Sequence, residues 1–189
     1  LANGENIQGG TIPEDNEWLL LIGDYKHSFN VKEVIKIPVR FASPVGAYSL
    51  VRIASNLTID FSQAVDPQVL INATGLSVPE TIGRWSEGDE IRLEFAKKIP
   101  STFELTIEAS AFGPNVGRFF ELYVDDRSYA FQLGAVPTII RISVDSGGDT
   151  DTMIIKIPQP TSPREINVSS DERKLGLALK KLTIRELRK

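Results

Sequence analysis

The chain of 189 residues contains no cysteine and a single histidine, His27. The first absence excludes disulfides, thiolate catalysis and cysteine-ligated zinc. The second confines any serine–histidine–aspartate triad to His27, and no nucleophile-elbow pattern accompanies it. A lone imidazole in a Lys-His-Ser turn reads as a solvated loop residue. Long apolar runs are missing as well: the longest, Trp18 to Ile22, falls far short of the roughly 20 residues that cross a bilayer. The chain opens at Leu1 with neither the basic nor the apolar region of a signal peptide, so it is expected to be a fragment or mature piece of a longer protein. An excess of positive charge is also lacking. The formal net charge of −4 supplies no field for a polyanion, which argues against nucleic acid as a partner.

What the chain does have is period-two alternation. With 41% hydrophobic and 24% charged residues it can bury a core, and its length fits one β domain, alone or with a short appended piece. Ile35, Ile37, Val39 and Phe41 alternate with Lys36, Pro38 and Arg40, and Pro38 places that strand at a sheet edge. The same period runs through Leu57, Ile59 and Phe61, then Ile91, Leu93 and Phe95, then Phe103, Leu105 and Ile107. It continues through Phe120, Leu122 and Val124, through Tyr129, Phe131 and Leu133, through Ile140, Ile142 and Val144, and through Met153, Ile155 and Ile157. Turn formers separate these runs at residues 113–115, 125–126, 146–149 and 158–160. Many short strands at this spacing predict an all-β fold, an antiparallel β-sandwich of the jelly-roll kind found in carbohydrate-binding modules. Residues 1–16 read as a flexible lead-in, 17–55 as N-terminal strands and 56–187 as the sandwich. The last segment is two-valued, because Leu175, Leu179 and Leu182 would also suit a helix face. Gly176 weakens the helix, and a bulge at Lys180 and Lys181 would keep Leu175, Leu177, Leu179, Leu182 and Ile184 on one strand face.

Several blocks in order carry a family resemblance: residues 75–80, Gly83-Arg84-Trp85-Ser86, residues 99–105, 111–115 and 131–134, then 157–163 and 171–177. As a set, spanning about Asn56 to Ile184, they resemble the C-terminal domain of bacterial membrane phosphoglycerol transferases, enzymes that decorate periplasmic glucans, a domain also appended to some envelope glycosyltransferases. The resemblance implies a periplasmic or outward-facing noncatalytic module that binds or positions glycan for a catalytic part absent from this chain. The implied partners are a glycan or phosphoglycerol-bearing oligosaccharide and the catalytic domain of the same parent protein; no cofactor or metal is implied for the module. A structural spacer or docking unit without ligand is the alternative. A second likeness precedes the module: residues 19–27 and 37–42 resemble the closing strands of the sulfatase and phosphoglycerol transferase catalytic fold. There a Gly-Asp-His supplies metal ligands, whereas this chain has Tyr25 at the histidine position, and a phenol is a poor substitute for imidazole. On that likeness the residues would be part of a metal-dependent site that is truncated or degenerate.

Five residues stand as candidate glycan contacts: Glu80, Arg84, Trp85, Asn115 and Arg118. An indole can stack on a pyranose face while a guanidinium donates a fixed fork of hydrogen bonds, which singles out Trp85 and Arg84. The alternative is a core tryptophan with Arg84 paired to Glu80. Asn115 offers a donor and an acceptor to a sugar, or simply tolerates a left-handed turn. Arg118 either reaches a ligand or caps a strand. Asp171, Arg173 and Lys174 either hold an anionic headgroup or form an ionic latch on the terminal strand. Pairs of carboxylates for glycoside hydrolysis can be drawn from Glu80, Glu87, Asp89, Glu94, Asp125 and Asp126, but most sit in turns or on solvated faces. Asp145, Asp149 and Asp151 lack the dense spacing of a calcium loop.

Overall fold

The computed structural model describes residues 18–22, 31–37, 48–53, 56–147 and 149–187. The contacts divide the chain into two units, the boundary falling between Ser55 and Asn56.

In the first unit three strands, β1 (Trp18–Ile22), β2 (Val31–Ile37) and β3 (Tyr48–Ile53), form an antiparallel sheet in the order β1-β3-β2. β2 lies at the edge and ends at Ile37, immediately before Pro38, whose missing N–H cannot join a ladder. The lead-in at 1–16 lies outside the described residues, as do Tyr25, His27, Val39 and Phe41.

The second unit is an antiparallel sandwich. One sheet runs β10-β9-β12-β7-β5, built from Arg127–Gln132, Phe119–Val124, Thr152–Lys156, Glu90–Phe95 and Leu70–Thr74. The other runs β11-β8-β13-β4, built from Thr138–Asp145, Thr102–Ala111, Leu177–Glu186 and Asn56–Asp60, with the two-residue β6 (Arg84–Trp85) also paired to β13. The alternation explains the layers. In β8 every odd residue from Phe103 to Ala111 is buried and every even one is partly exposed. In β7 the buried residues are Ile91, Leu93 and Phe95. These inward faces meet those of β9, β12 and β13 in one core, where Phe103, Leu105, Phe120, Leu122, Met153 and Leu182 are fully enclosed. Each such side chain contributes on the order of 2 kcal/mol through burial. Phe120 and Phe131 stack within it at 5.5 Å.

The terminal segment is a strand and not a helix. β13 pairs with β8 over its whole length and its register shifts between Leu179 and Lys181, so Lys180 is the extra residue of a bulge. That bulge keeps Leu177, Leu179, Leu182 and Ile184 on the core side. Two strands escape the alternation. β5 is an edge strand with an irregularity between Leu70 and Asn72, which turns Ile71 to solvent. β6 is too short to show a period.

Candidate functional site

The Gly83-Arg84-Trp85-Ser86 block occupies one end of the sheet that contains β13, and each residue has a structural reason. Gly83 has φ +114°, and a Cβ there would overlap the Leu179 carbonyl oxygen, so only glycine lets the hairpin approach β13. Ser86 is fully buried, and its Oγ accepts the N–H groups of Gly176 (2.8 Å) and Leu177 (3.0 Å), fixing the start of β13. Between them, Trp85 lies opposite Ala178 and Arg84 opposite Leu179.

Consecutive strand residues point to opposite faces. Trp85 therefore shares the outer face with Ala178 and, one strand further, Ser110. Ser77 flanks it on the other side, donating its N–H to the Trp85 carbonyl (2.8 Å) while its Oγ accepts the Trp85 N–H (3.0 Å). Three small neighbours thus leave room for a large flat ring, which Phe112 meets edge-on at 5.6 Å and 77°. The indole is partly buried, and among the described residues its N–H has no partner.

Arg173 lies within ion-pair range of Glu87, two residues after Trp85. Its guanidinium is held bidentately by Asp171, Nε donating to Oδ1 at 3.1 Å and Nη2 to Oδ2 at 2.7 Å. The remaining Nη1 faces Glu80 at 3.7 Å and Glu87 at 3.8 Å. Those distances give charge attraction without hydrogen bonds, so the facing groups keep capacity for hydroxyls. Glu87 follows Trp85 by two residues, which in extended chain returns it to the same face. The hydrogen bonds from Arg173 pull the Asp171 carboxyl below its ordinary range and hold the guanidinium above its own. With its folded value lowered, the Asp171 tie is fully present above the ordinary aspartate pKa of about 3.9 and is lost as pH falls through the lower folded value. Acid titration followed by the Arg173 Nε–H resonance is expected to show the tie intact at pH 5 and released only below the ordinary aspartate range. Release above pH 4 would contradict this geometry.

The structure brings Glu80, Asp171 and Arg173 together, with Glu87 as the link in the chain to Trp85, and leaves the other expected contacts elsewhere. Arg84 lies on the opposite side of β6 from Trp85; its Nη2 reaches the Gln63 carbonyl at 3.4 Å and its Nε is buried without a partner among the described residues. It does not pair with Glu80, whose carboxylate turns to Arg173. Asn115 is 0% exposed, and its amide is spent inside the fold: Nδ2 donates to the carbonyls of Phe112 (3.0 Å) and Gln159 (2.9 Å), and Oδ1 accepts the Gln159 N–H (2.9 Å). Nor does it take the left-handed turn, which falls to Gly113 and Gly117. Both readings of Asn115, sugar contact and turn residue, are therefore corrected to a buried staple. Arg118 is exposed but folds its Nε back onto the Pro114 carbonyl (2.9 Å), capping the 3₁₀ turn Gly113–Asn115 and not a strand. Lys174 pairs with Glu165. Glu87 and Phe112 join the site without having been singled out as glycan contacts; the spacing of Glu87 two residues after Trp85 is the signal that finds it. Elsewhere, Asp149 pairs with Lys98 and Asp145 with Arg127.

Comparison with known proteins places this geometry in context. A family model described as "Domain of unknown function (DUF7024)" matches residues 48–186. Phosphoglycerol transferase I of Escherichia coli O6:K15:H31 (strain 536 / UPEC) is 34% identical over 130 residues, covering 67% of this chain and 17% of the relative. The same enzyme of Escherichia coli O139:H28 (strain E24377A / ETEC) is 33% identical over the same length and shares. The chain thus spans about a sixth of these relatives, and it is related to the C-terminal region of the phosphoglycerol transferases. Among solved structures, a family two carbohydrate esterase from Cellvibrio japonicus is similar over 71% of this chain and 35% of its own, with TM-score 0.43 and 15% identity. A Podospora anserina β-(1,4)-mannanase is similar over 71% and 28%, with TM-score 0.40 and 12% identity. At those scores the likeness adds nothing to the sandwich already described.

Proposed function

Since the chain belongs to the Domain of unknown function (DUF7024) family, we propose that it is a noncatalytic accessory module of an envelope phosphoglycerol transferase or glycosyltransferase, and that it binds glycan on its Trp85 face. In that role it holds the sugar for a catalytic part that lies outside this chain, on the periplasmic or outward side of the membrane. No helix among the described residues is long and apolar enough to cross a membrane.

One observation carries the reading. A partly exposed indole, its N–H without a partner among the described residues, shares a sheet face with Ala178 and Ser110 beside Ser77, and Glu87, two residues on, lies with Glu80 in ion-pair range of the Arg173 guanidinium but not in hydrogen-bond range. An apolar ring face is what a pyranose covers, and mixed donors and acceptors at its edge are what hydroxyls need. Three carboxylates, Asp171, Glu80 and Glu87, surround the one cation Arg173. This end of the site therefore suits a neutral ring and repels an anionic headgroup.

The test is an NMR titration of the labelled chain with short unsubstituted β-glucans. Saturable shifts of the Trp85 indole N–H and of the amides of Ser77, Glu87 and Ala178 are the expected result. A folded sample whose spectrum stays still at millimolar sugar would overturn the reading. It would leave the docking role, which rests on Val78 and Ile82, 74% and 47% exposed on the hairpin that carries the site.

A further inference from the structure

Away from Trp85, the outer face of the β11-β8-β13-β4 sheet is organised in cross-strand rows. In one row Glu108 faces Lys181 and Ile139, and Lys181 faces Asp60. In the next, Arg141, Thr106, Thr183 and Thr58 stand side by side. In the third, Ser143, Glu104, Arg185 and Asn56 do so.

The carboxylates of this face are already engaged. Glu108 pairs with Lys180 at 2.8 Å and Glu104 with Arg185 at 3.1 Å. Asp60 turns to Ser62, accepting its N–H (2.9 Å) and its hydroxyl (2.6 Å). Two cations are left without a salt bridge among the described residues: Lys181, whose charge acts on Asp60 across the row, and the exposed Arg141. The rows balance, Lys181, Arg141 and Arg185 against Asp60, Glu104 and Glu108, and Lys180, reaching Glu108 from the bulge beside them, brings this face to +1 on a chain whose net charge is −4. Next to these two cations lie hydroxyls: Thr58 and Thr183 bond each other at 3.1 Å, and the Thr106 hydroxyl has no partner among the described residues. The middle row lies about 14 Å along β8 from the Ser110 position beside Trp85, a span that a short oligosaccharide covers.

Resting on the reading of Trp85 as a sugar platform, we propose that the Arg141–Thr106–Thr183 row, with Lys181 at its flank, binds the singly charged phosphodiester substituent of the glycan whose unsubstituted ring lies on Trp85. The two ends of the site divide the ligand by charge. The carboxylate-rich end beside Arg173 takes the neutral ring, and the cationic row takes the anion through a guanidinium fork and a hydroxyl. The division lets the module distinguish substituted from unsubstituted glucan.

Three probes separate the steps: a short β-glucan, the same glucan bearing phosphoglycerol, and glycerol phosphate alone. The unaltered chain is expected to bind the substituted glucan about fivefold more tightly at low salt, with the difference closing as salt is added. Arg141→Gln, a change at an exposed position, is expected to erase that preference and leave the affinity for unsubstituted glucan unchanged. Glycerol phosphate alone is expected to shift the Thr106, Thr183 and Arg141 amides, and to do so still in Trp85→Ala. Equal affinity for the two glucans, a preference that survives Arg141→Gln, or a row that ignores glycerol phosphate would each overturn the proposal. Silence of the unsubstituted glucan, with a row that still responds to the substituted glucan and to glycerol phosphate, would remove the Trp85 reading and support an anion site on this row.

Discussion

Trp85→Ala is expected to reduce affinity for short unsubstituted β-glucans by about 30-fold, which for a weak binder means loss of detectable saturation. The magnitude follows from the geometry. The indole provides the flat apolar surface of the site, and a contact of that size contributes roughly 2 kcal/mol, or about a 30-fold change in the dissociation constant. Two companion variants make the result specific. Trp85→Phe keeps a smaller ring on the bed of Ser77, Ala178 and Ser110 and is expected to retain part of the affinity. Arg84→Gln alters the neighbouring residue on the opposite side of β6 and is expected to change affinity by less than about twofold, since the two side chains face apart. Isothermal calorimetry on the three variants, with folding checked by their amide spectra, decides the matter. If Trp85→Ala binds glucan as tightly as the unaltered chain, the ring is packing and not platform. If Arg84→Gln loses as much as Trp85→Ala, the ligand approaches from the other side.

That contrast also shows where the sequence was legible. β7, β8, β9 and β12 announce themselves because each has one face in the core and one in water, so burial prints a period of two directly on residue type. The bulge in β13 is readable for the same reason: a run of inward leucines can keep its face across Lys180 and Lys181 only if one residue drops out of register. β5 is not readable, because an irregular edge strand exposes Ile71 and hides little besides Leu70. β6 is not readable because its pairing with β13 depends on Gly83 and Ser86, contacts made with residues almost a hundred positions away. Missing β6 has a direct cost at the site. Without knowing that Arg84 and Trp85 are strand neighbours, they look like a pair; once they are, the alternation separates them and brings Glu87 in. The Arg173 cluster is hidden for a related reason, since Glu80, Glu87 and Asp171 belong to segments that meet only after the hairpin has closed on β13.

Asn115→Ala is expected to destabilise the sandwich by about 3 kcal/mol and to leave glucan affinity unaltered. The Asn115 amide ties the 3₁₀ turn to the segment around Gln159, through two donated bonds and one accepted bond in a spot with no access to water. Truncation strands the Gln159 N–H, while the Gln159 carbonyl keeps the bond from the Thr161 hydroxyl at 2.9 Å and the Phe112 carbonyl keeps the bond from the Asn115 N–H at 3.1 Å. The stranded N–H costs about 1–3 kcal/mol, and each of the two lost carbonyl bonds adds roughly 0.5–1 kcal/mol. For a unit of this size the loss lowers the melting temperature by roughly 10 °C. Asn115→Asp is the sharper companion: it preserves the shape and the acceptor for Gln159, but removes both donors and asks for a buried charge, so it is expected to be at least as destabilising. The two measurements move in opposite directions under the competing account. An asparagine that served a ligand from the surface would, when truncated, weaken glucan binding and leave the melting temperature within about 1 °C, whereas a staple shows the drop in melting temperature alone. Thermal unfolding of the two variants beside their glucan titrations therefore separates the roles without any change to Trp85.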